Sequence, residues 1–196
     1  RDDPHSARFS AATPAHKIFY GKDAIVIGAK QWKISDIMIG SEGIACSVAD
    51  IAVRSPLLGM FNFYNILAAV AVGLSEGIAL ERIADAVARV AGVPGRMEFV
   101  ARGPVAVVVD YAHTPDSLEA VYTALKEMSG GRRSRRKRTR RGIPDAVSET
   151  KPRLICVLGA AGGGRDTWKR PAFGAIAERY CDDIILTNED PYDEDP

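Results

Sequence analysis

The first hundred residues carry short apolar runs, followed by two segments with helical spacing. Between residues 17 and 53 the apolar runs are separated by glycines, which predicts a series of short strands and turns. Residues 65–74 are apolar on nearly every face, as expected for a buried helix that is entered from a loop. Ile83, Val87 and Val90 then recur at helical spacing, and a glycine and a proline follow them. This pattern predicts an amphipathic helix over residues 80–91.

Beyond residue 100 the pattern changes to strands that alternate with helices. Residues 105–110, 154–158 and 184–187 are short apolar runs rich in β-branched side chains, which predicts three strands, the first of them covered on both faces. Thr114 and Pro115 are typical of the N-cap and the first residue of a helix. Strand, helix, strand, helix, strand is the order of an α/β fold with a parallel sheet. We place the domain boundary near residues 100–104.

Composition excludes several classes of protein. With 46% hydrophobic residues in a chain of 196, most of the chain is expected to fold. Asn62, Asn65 and two glycines interrupt the uncharged stretch 55–75, so we expect no membrane association. The three cysteines are far apart and never in a C-x-x-C spacing, which favours a reducing, cytoplasmic setting over a disulfide framework or a zinc knuckle. The chain begins at Arg1 without a signal peptide, so we expect it to start inside a longer protein.

The near-neutral net charge of +1 hides one strongly basic segment. Residues 132–141 hold eight of the 26 basic residues, and the remaining 18 are outnumbered by 25 acidic ones. Such a run could bind nucleic acid or an anionic surface. It contains no aromatic residue to stack on bases, so we favour a solvated insertion over residues 130–150 and expect no nucleic-acid partner.

Each predicted strand of the second half is followed by residues that can carry chemistry. In an open parallel sheet ligands meet the carboxyl ends of the strands, so a convergent site is expected there. The glycine cluster 159–164 could admit an anion, but it matches neither a P-loop nor a clean G-x-G-x-x-G, and an ordinary glycine-rich turn is as good an interpretation. His113 is a base, a ligand or a local hydrogen-bonding residue, and Asp110 binds a ribose hydroxyl or caps a turn. Asn65 is most simply an N-cap.

Taken together, these residues resemble the ordered motifs of the MurE-type Mur ligases, the UDP-N-acetylmuramoyl-tripeptide synthetases. The central-domain motif of that family is similar to FNFYN at residues 61–65. The later motifs correspond to GRME at 95–98, DYAHTPD at 110–116, GGRD and KRP within 163–171, and EDP at 189–191. The resemblance covers most of the chain apart from the basic segment.

The resemblance implies a two-domain α/β architecture. Residues 1–100 would be the later part of the central ATPase domain, and residues 101–196 the first half of a Rossmann-like C-terminal domain. The implied activity is ATP-dependent amide-bond formation in peptidoglycan precursor synthesis. ATP would phosphorylate a carboxylate of UDP-MurNAc-L-Ala-D-Glu, and the amine of a diamino acid would attack the acyl phosphate. The implied cofactors are ATP and Mg2+, the partners are the UDP-MurNAc-dipeptide and the diamino acid, and a monomer is expected.

The resemblance also assigns site residues. Nucleotide contacts fall on Asn65, Arg96, Asp110 and His113, with Asp110 on the ribose. Substrate contacts fall on Arg165, Glu189, Asp190 and Tyr192, with Arg165 holding the α-carboxylate of the amino acid, a task that suits a bidentate guanidinium.

The sequence departs from the family pattern in ways that matter. The P-loop, the magnesium ligands and the carbamylated lysine of the family are expected before Arg1, so no catalytic residue is assigned and the chain alone is expected to be inactive. Members that use meso-diaminopimelate carry Asp-Asn-Pro-Arg where this chain has residues 189–192, EDPY. Tyr192 replaces the arginine that would pair a distal carboxylate, so we expect a lysine- or ornithine-like amino acid. The alternative from another class is a dinucleotide-binding Rossmann module of an oxidoreductase.

Overall fold

The computed structural model describes residues 2–12, 14–131, 152–164 and 166–195. The chain forms two compact units, Arg1–Asp110 and Tyr111–Pro196. The basic run 132–141, nearly all of the expected insertion 130–150 and Arg165 lie outside the described residues.

The described residues of the first unit form an antiparallel sheet, three helices and a short hairpin. The sheet runs in chain order β1 to β5, which confirms the short strands expected between residues 17 and 53. Its elements are α1 Ser6–Ala11, β1 Ile18–Tyr20, β2 Ala24–Ile27, β3 Lys30–Gly40, β4 Gly43–Val48, β5 Ile51–Ser55, α2 Met60–Ser75, α3 Leu80–Arg89, β6 Glu98–Ala101 and β7 Val107–Val109.

Apolar side chains of α2 and α3 and one face of the sheet form the core of this unit. Phe63, Leu67 and Val70 of α2 are fully buried, as are Val48 and Val53 of the sheet. Each such side chain contributes about 1.5–3 kcal/mol relative to exposure. The amphipathic helix predicted over residues 80–91 is confirmed as α3, although it ends at Arg89 and leaves Val90 43% exposed.

Helix α2 begins earlier than the apolar pattern indicates. Its N-cap is Gly59, at a φ of 86°, so Asn65 lies in the second turn and the expectation that it is an N-cap is wrong. The reason lies at Asn62, whose side chain is buried but donates from Nδ2 to the Leu58 carbonyl oxygen at 2.9 Å. A polar side chain that satisfies its hydrogen bonds inside a helix does not mark the start of that helix.

The second unit contains α4 Pro115–Gly131, β8 Ile155–Leu158, α5 Lys169–Tyr180 and β9 Asp183–Leu186. Strands β8 and β9 pair in parallel, with Cys156 opposite Ile184, as the strand–helix alternation predicts. The expected helix start is also confirmed, because the Ser117 N–H donates to Thr114 Oγ1 at 3.3 Å and Pro115 is the first helical residue. Helices α4 and α5 pack together, with the Tyr122 and Tyr180 rings 6.2 Å apart.

The first of the three predicted parallel strands forms a different pairing. Strand β7 pairs antiparallel with β6, and within the described part of the chain it has no other strand partner. Val107 and Val109 are each 45% exposed, so the expectation of a strand covered on both faces is wrong. The hairpin is the physical reason, because its ladder keeps both strands in the unit that ends at Asp110. The boundary placed at residues 100–104 lies inside that hairpin, and the assignment of Mur ligase domains stays a prediction.

Across the described residues, every helix is too short or too polar to cross a lipid bilayer.

Candidate functional site

In the first unit, the carboxylate of Asp110 holds the turn that carries Arg96. Gly95 and Met97, on either side of Arg96, both have positive φ, at 67° and 46°. Met97 is buried, and its N–H donates to Asp110 Oδ2 at 2.7 Å. The Gly95 N–H donates to Glu98 Oε2 at 2.7 Å. A left-handed backbone at a non-glycine residue costs free energy, so these two carboxylates stabilise the conformation that presents the exposed Arg96.

Asn65 lies on the exposed face of α2. Its Nδ2 donates to Asn62 Oδ1 at 3.1 Å, and Asn62 in turn donates to the carbonyl of Leu58. This short chain of amide hydrogen bonds restrains the Asn65 side chain at the helix surface. The position suits a polar contact with a ligand.

Next to Asn65, Tyr64 anchors the N-terminal segment in a contact that the sequence pattern did not indicate. Asp2 Oδ2 accepts from the Lys22 backbone N–H and from the Tyr64 hydroxyl, both at 2.8 Å. The backbone hydrogen bond from Lys22, more than the one from Tyr64, lowers the pKa of Asp2. Burial, and then the hydrogen bond to Asp2, raise the pKa of Tyr64 to about 12. The two partners are 62 residues apart in sequence, so no local signal could have found them.

In the second unit, His113 makes a local contact just before α4. Its Nδ1 lies 3.0 Å from the Tyr111 carbonyl oxygen, and the two rings are 4.8 Å apart. This geometry fits the local hydrogen-bonding alternative, and the nucleotide role of His113 stays a prediction.

The loops that follow β8 and β9 lie against each other. Ala161 and Glu189 form a parallel bridge, and the Gly162 N–H donates to the Asp190 carbonyl oxygen at 3.0 Å. A Cβ at Gly163 would lie only 3.1 Å from the Tyr192 ring. The structure thus brings the glycine cluster together with Glu189, Asp190 and Tyr192 at the carboxyl end of the parallel pair, where α/β sheets bind ligands. Arg165 follows Gly164 in sequence but lies outside the described residues.

One carboxylate at this end was missed by the sequence analysis. Glu194 Oε1 accepts from the Gly164 N–H at 2.8 Å, and Glu194 Oε2 accepts from the Arg170 guanidinium at 2.5 Å. The hydrogen bond from Gly164, followed by that from Arg170, lowers the pKa of Glu194. Arg170 belongs to the KRP motif, but nothing in the residues around Glu194 distinguishes it from its acidic neighbours.

Among the described residues, no group of three or more His, Cys, Asp or Glu side chains could hold a metal ion. The residues around Arg96 in the first unit and around the glycine cluster in the second offer guanidinium, amide, carboxylate and backbone N–H groups, which suit polar organic ligands.

A family model and curated relatives both match this chain to the Mur ligases. The family model "Mur ligase, glutamate ligase domain" matches residues 95–135. A protein of Thermosynechococcus vestitus named UDP-N-acetylmuramoyl-L-alanyl-D-glutamate--2,6-diaminopimelate ligase is 37% identical over 205 residues, covering 100% of this chain and 36% of the relative. A protein of the same name from Bacillus velezensis is 39% identical over 198 residues, with the same coverage. The chain thus spans little more than a third of the length of these relatives.

Solved structures of related ligases have a fold similar to that of this chain. A 2,6-diaminopimelate ligase of the same name superposes with a TM-score of 0.52 at 29% identity, covering 100% of this chain and 37% of that one. The structure of UDP-N-acetylmuramoylalanyl-D-glutamyl-2,6-diaminopimelate--D-alanyl-D-alanyl ligase from Acinetobacter baumannii has a TM-score of 0.65 at 21% identity, over 97% of this chain and 38% of that one, which shows a shared fold. A folylpolyglutamate synthase of Mycobacterium tuberculosis shares the fold at 19% identity and a TM-score of 0.55, over 80% of this chain and 31% of that one. These matches do not favour the oxidoreductase alternative. The chain belongs to the Mur ligase family, and it resembles diaminopimelate ligases over its whole length.

Proposed function

We propose that this chain is part of an ATP-dependent ligase of peptidoglycan precursor synthesis, which joins a diamino acid to UDP-MurNAc-L-Ala-D-Glu through an acyl phosphate. The observation that carries the proposal is the contact at the carboxyl end of β8 and β9, where the glycine cluster 159–164 meets Glu189, Asp190 and Tyr192. The whole-chain similarity to diaminopimelate ligases supports the same reaction class.

In the first unit, Arg96, Asp110 and Asn65 would bind the nucleotide. A nucleotide contact of His113, in the second unit, rests on the family resemblance alone. The guanidinium of Arg96 suits negative charge or a base, the carboxylate of Asp110 suits ribose hydroxyls, and the amide of Asn65 suits a polar base edge. Asp110 would then have two tasks, since it also accepts the Met97 N–H. Mg2+ would neutralise phosphate charge when bound. No carboxylate cluster of the described residues fits such an ion, and the family resemblance assigns its ligands to other parts of these enzymes.

The amino-acid substrate would be held in the second unit. Arg165 would bind its α-carboxylate, and Glu189 and Asp190 would receive a distal ammonium group. Tyr192 stands where diaminopimelate-using members carry arginine, so we propose lysine or ornithine, although the similar proteins named above are diaminopimelate ligases. A cytoplasmic, monomeric enzyme completes the proposal.

Product formation by the full-length protein tests this function. Purified protein with ATP, Mg2+ and UDP-MurNAc-L-Ala-D-Glu is expected to release ADP only when a diamino acid is added. The variant Arg96→Ala should raise the KM for ATP, whereas the matched control Arg89→Ala, an exposed arginine of α3, should not. Absence of amide product with lysine, ornithine and meso-diaminopimelate would overturn the ligase proposal. Faster addition of meso-diaminopimelate than of lysine and ornithine would overturn only the proposed specificity.

A further inference from the structure

Glu194 is the carboxylate that joins the two loops at the end of the parallel pair. One of its oxygens accepts the Gly164 N–H at 2.8 Å, and the other accepts from Arg170 at 2.5 Å. The Arg170 guanidinium also lies 3.5 Å from the carbonyl oxygen of Ala161, in the middle of the glycine cluster 159–164. One carboxylate and one guanidinium therefore connect the turn at residues 191–194 and helix α5 with two positions of the glycine cluster, Ala161 and Gly164.

The chemistry of this contact favours a fixed geometry. Gly163 and Gly164 both have positive φ, at 71° and 70°, a left-handed conformation that glycine adopts without steric cost. Hydrogen bonds to an ionised carboxylate are stronger than neutral ones. The lowered pKa of Glu194 is consistent with a carboxylate that stays ionised in this position.

The contact fixes the residues that flank the proposed amino-acid site. The Gly164 amide is the last backbone group before Arg165 in the sequence. Tyr192 lies two residues before Glu194, and its ring packs on Gly163. Tyr192 itself has a φ of 54°, which is costly for a bulky side chain and requires support from its surroundings.

We propose that Glu194 and Arg170 are positioning residues, which hold the glycine cluster and the turn at residues 191–194 in the relative position that binding of the diamino acid requires. This inference rests on the proposed ligase function for its substrate, but the contact itself can be tested without any activity. Neither residue is required to touch the substrate, because each acts through the backbone of the neighbouring loop.

The test compares full-length wild type with Glu194→Ala, Glu194→Gln and Arg170→Lys. Glu178→Ala, at an exposed glutamate of α5, serves as the matched control. In Glu194→Ala the peptide that contains Gly163 and Gly164 should exchange its amide hydrogens roughly tenfold faster, and the KM for the diamino acid should rise roughly tenfold. The KM for ATP should stay unchanged. Glu194→Gln keeps an acceptor for the Gly164 N–H, so its exchange rate and its KM for the diamino acid should rise less than those of Glu194→Ala. Arg170→Lys keeps only the positive charge, so both quantities should lie between those of Glu194→Gln and Glu194→Ala.

The outcomes separate positioning from a merely structural role. A variant that only folds less well would lose active enzyme, which lowers kcat for all substrates and leaves KM unchanged. A lowered kcat with an unchanged KM for the diamino acid would overturn the proposal. So would an unchanged exchange rate at Gly163 and Gly164, or a rise in the KM for ATP equal to that for the diamino acid. If the wild type forms no product, the ligase function and the link to the amino acid both fail, while the exchange rates still decide whether Glu194 holds the turn.

Discussion

Replacing Gly162 by alanine should loosen the contact between the loops that follow β8 and β9. Gly162 is buried, and its N–H donates to the Asp190 carbonyl oxygen at 3.0 Å. A Cβ built on Gly162 would lie 2.2 Å from the Pro191 carbonyl oxygen and 2.7 Å from its carbonyl carbon. Both atoms belong to the backbone, so no side-chain rotation can relieve the clash, and one loop must move by about 1 Å.

The cost of that movement follows from two contributions. Overpacking of a close contact costs about 1–3 kcal/mol. Loss of the Gly162–Asp190 hydrogen bond costs about 1 kcal/mol. The local free energy of opening should therefore fall by roughly 2–4 kcal/mol, which corresponds to at least about a 30-fold increase in the open population.

Hydrogen exchange of the full-length protein measures this population directly for peptides that cover β8 and β9. The matched control is Gly174→Ala, within α5, where an added Cβ meets no atom within 4 Å. Alanine is a better helix former than glycine by about 0.5–1 kcal/mol, so this control should slow local exchange about two- to fivefold.

The two alanine variants should thus move exchange in opposite directions within one unit. If Gly162→Ala leaves the exchange of β8 and β9 at the wild-type rate, the close approach of the two loops is wrong. If Gly174→Ala accelerates exchange, the argument from helix propensity is wrong at that position. Either result would refute the reasoning without reference to enzymatic activity.

Two further predictions concern the first unit. Asp110→Ala should lower the free energy of unfolding by about 1–3 kcal/mol in chemical denaturation, because it removes the acceptor of the Met97 N–H. Asp110→Asn keeps an acceptor oxygen and should retain most of the stability. Equal losses of stability in the two variants would contradict this role of Asp110. Since the pKa of Tyr64 is raised to about 12, its stabilising contribution is complete below about pH 10 and is lost as the pH rises toward 12. A spectroscopic pH titration should show a tyrosine that ionises near pH 12 and is missing in Tyr64→Phe, and a wild type without it would exclude this assignment. Tyr122, whose pKa is also raised by burial, should remain in both proteins.

Elements whose signals are local could be predicted from the sequence. Helix α4 starts where Thr114 and Pro115 indicate, because an N-cap and a first-turn proline act within one turn of their own backbone. Helix α3 and the parallel pair of β8 and β9 also follow from apolar spacing alone. The ordered motifs, rather than any one of them, carried the family, which the whole-chain relatives confirm.

The partner of a strand is a different kind of information. Strand β7 has the apolar run of a buried parallel strand, yet it pairs with β6 and stays partly exposed. An apolar pattern indicates that the faces of a strand can be buried, but tertiary packing decides which elements lie against them. Helix α2 likewise extends back to Met60 because Asn62 finds a carbonyl acceptor inside the fold.

The sequence by itself determined the family, the α/β class and the residue types expected at the nucleotide and amino-acid sites. Only the tertiary structure decided how those residues are held: Met97 by Asp110, Tyr64 by Asp2, and Gly164 by Glu194. The members of these pairs are 13, 62 and 30 residues apart in the chain. Such contacts form only when folding brings distant segments together, so periodicity and local propensity, which act over a few residues, do not encode them.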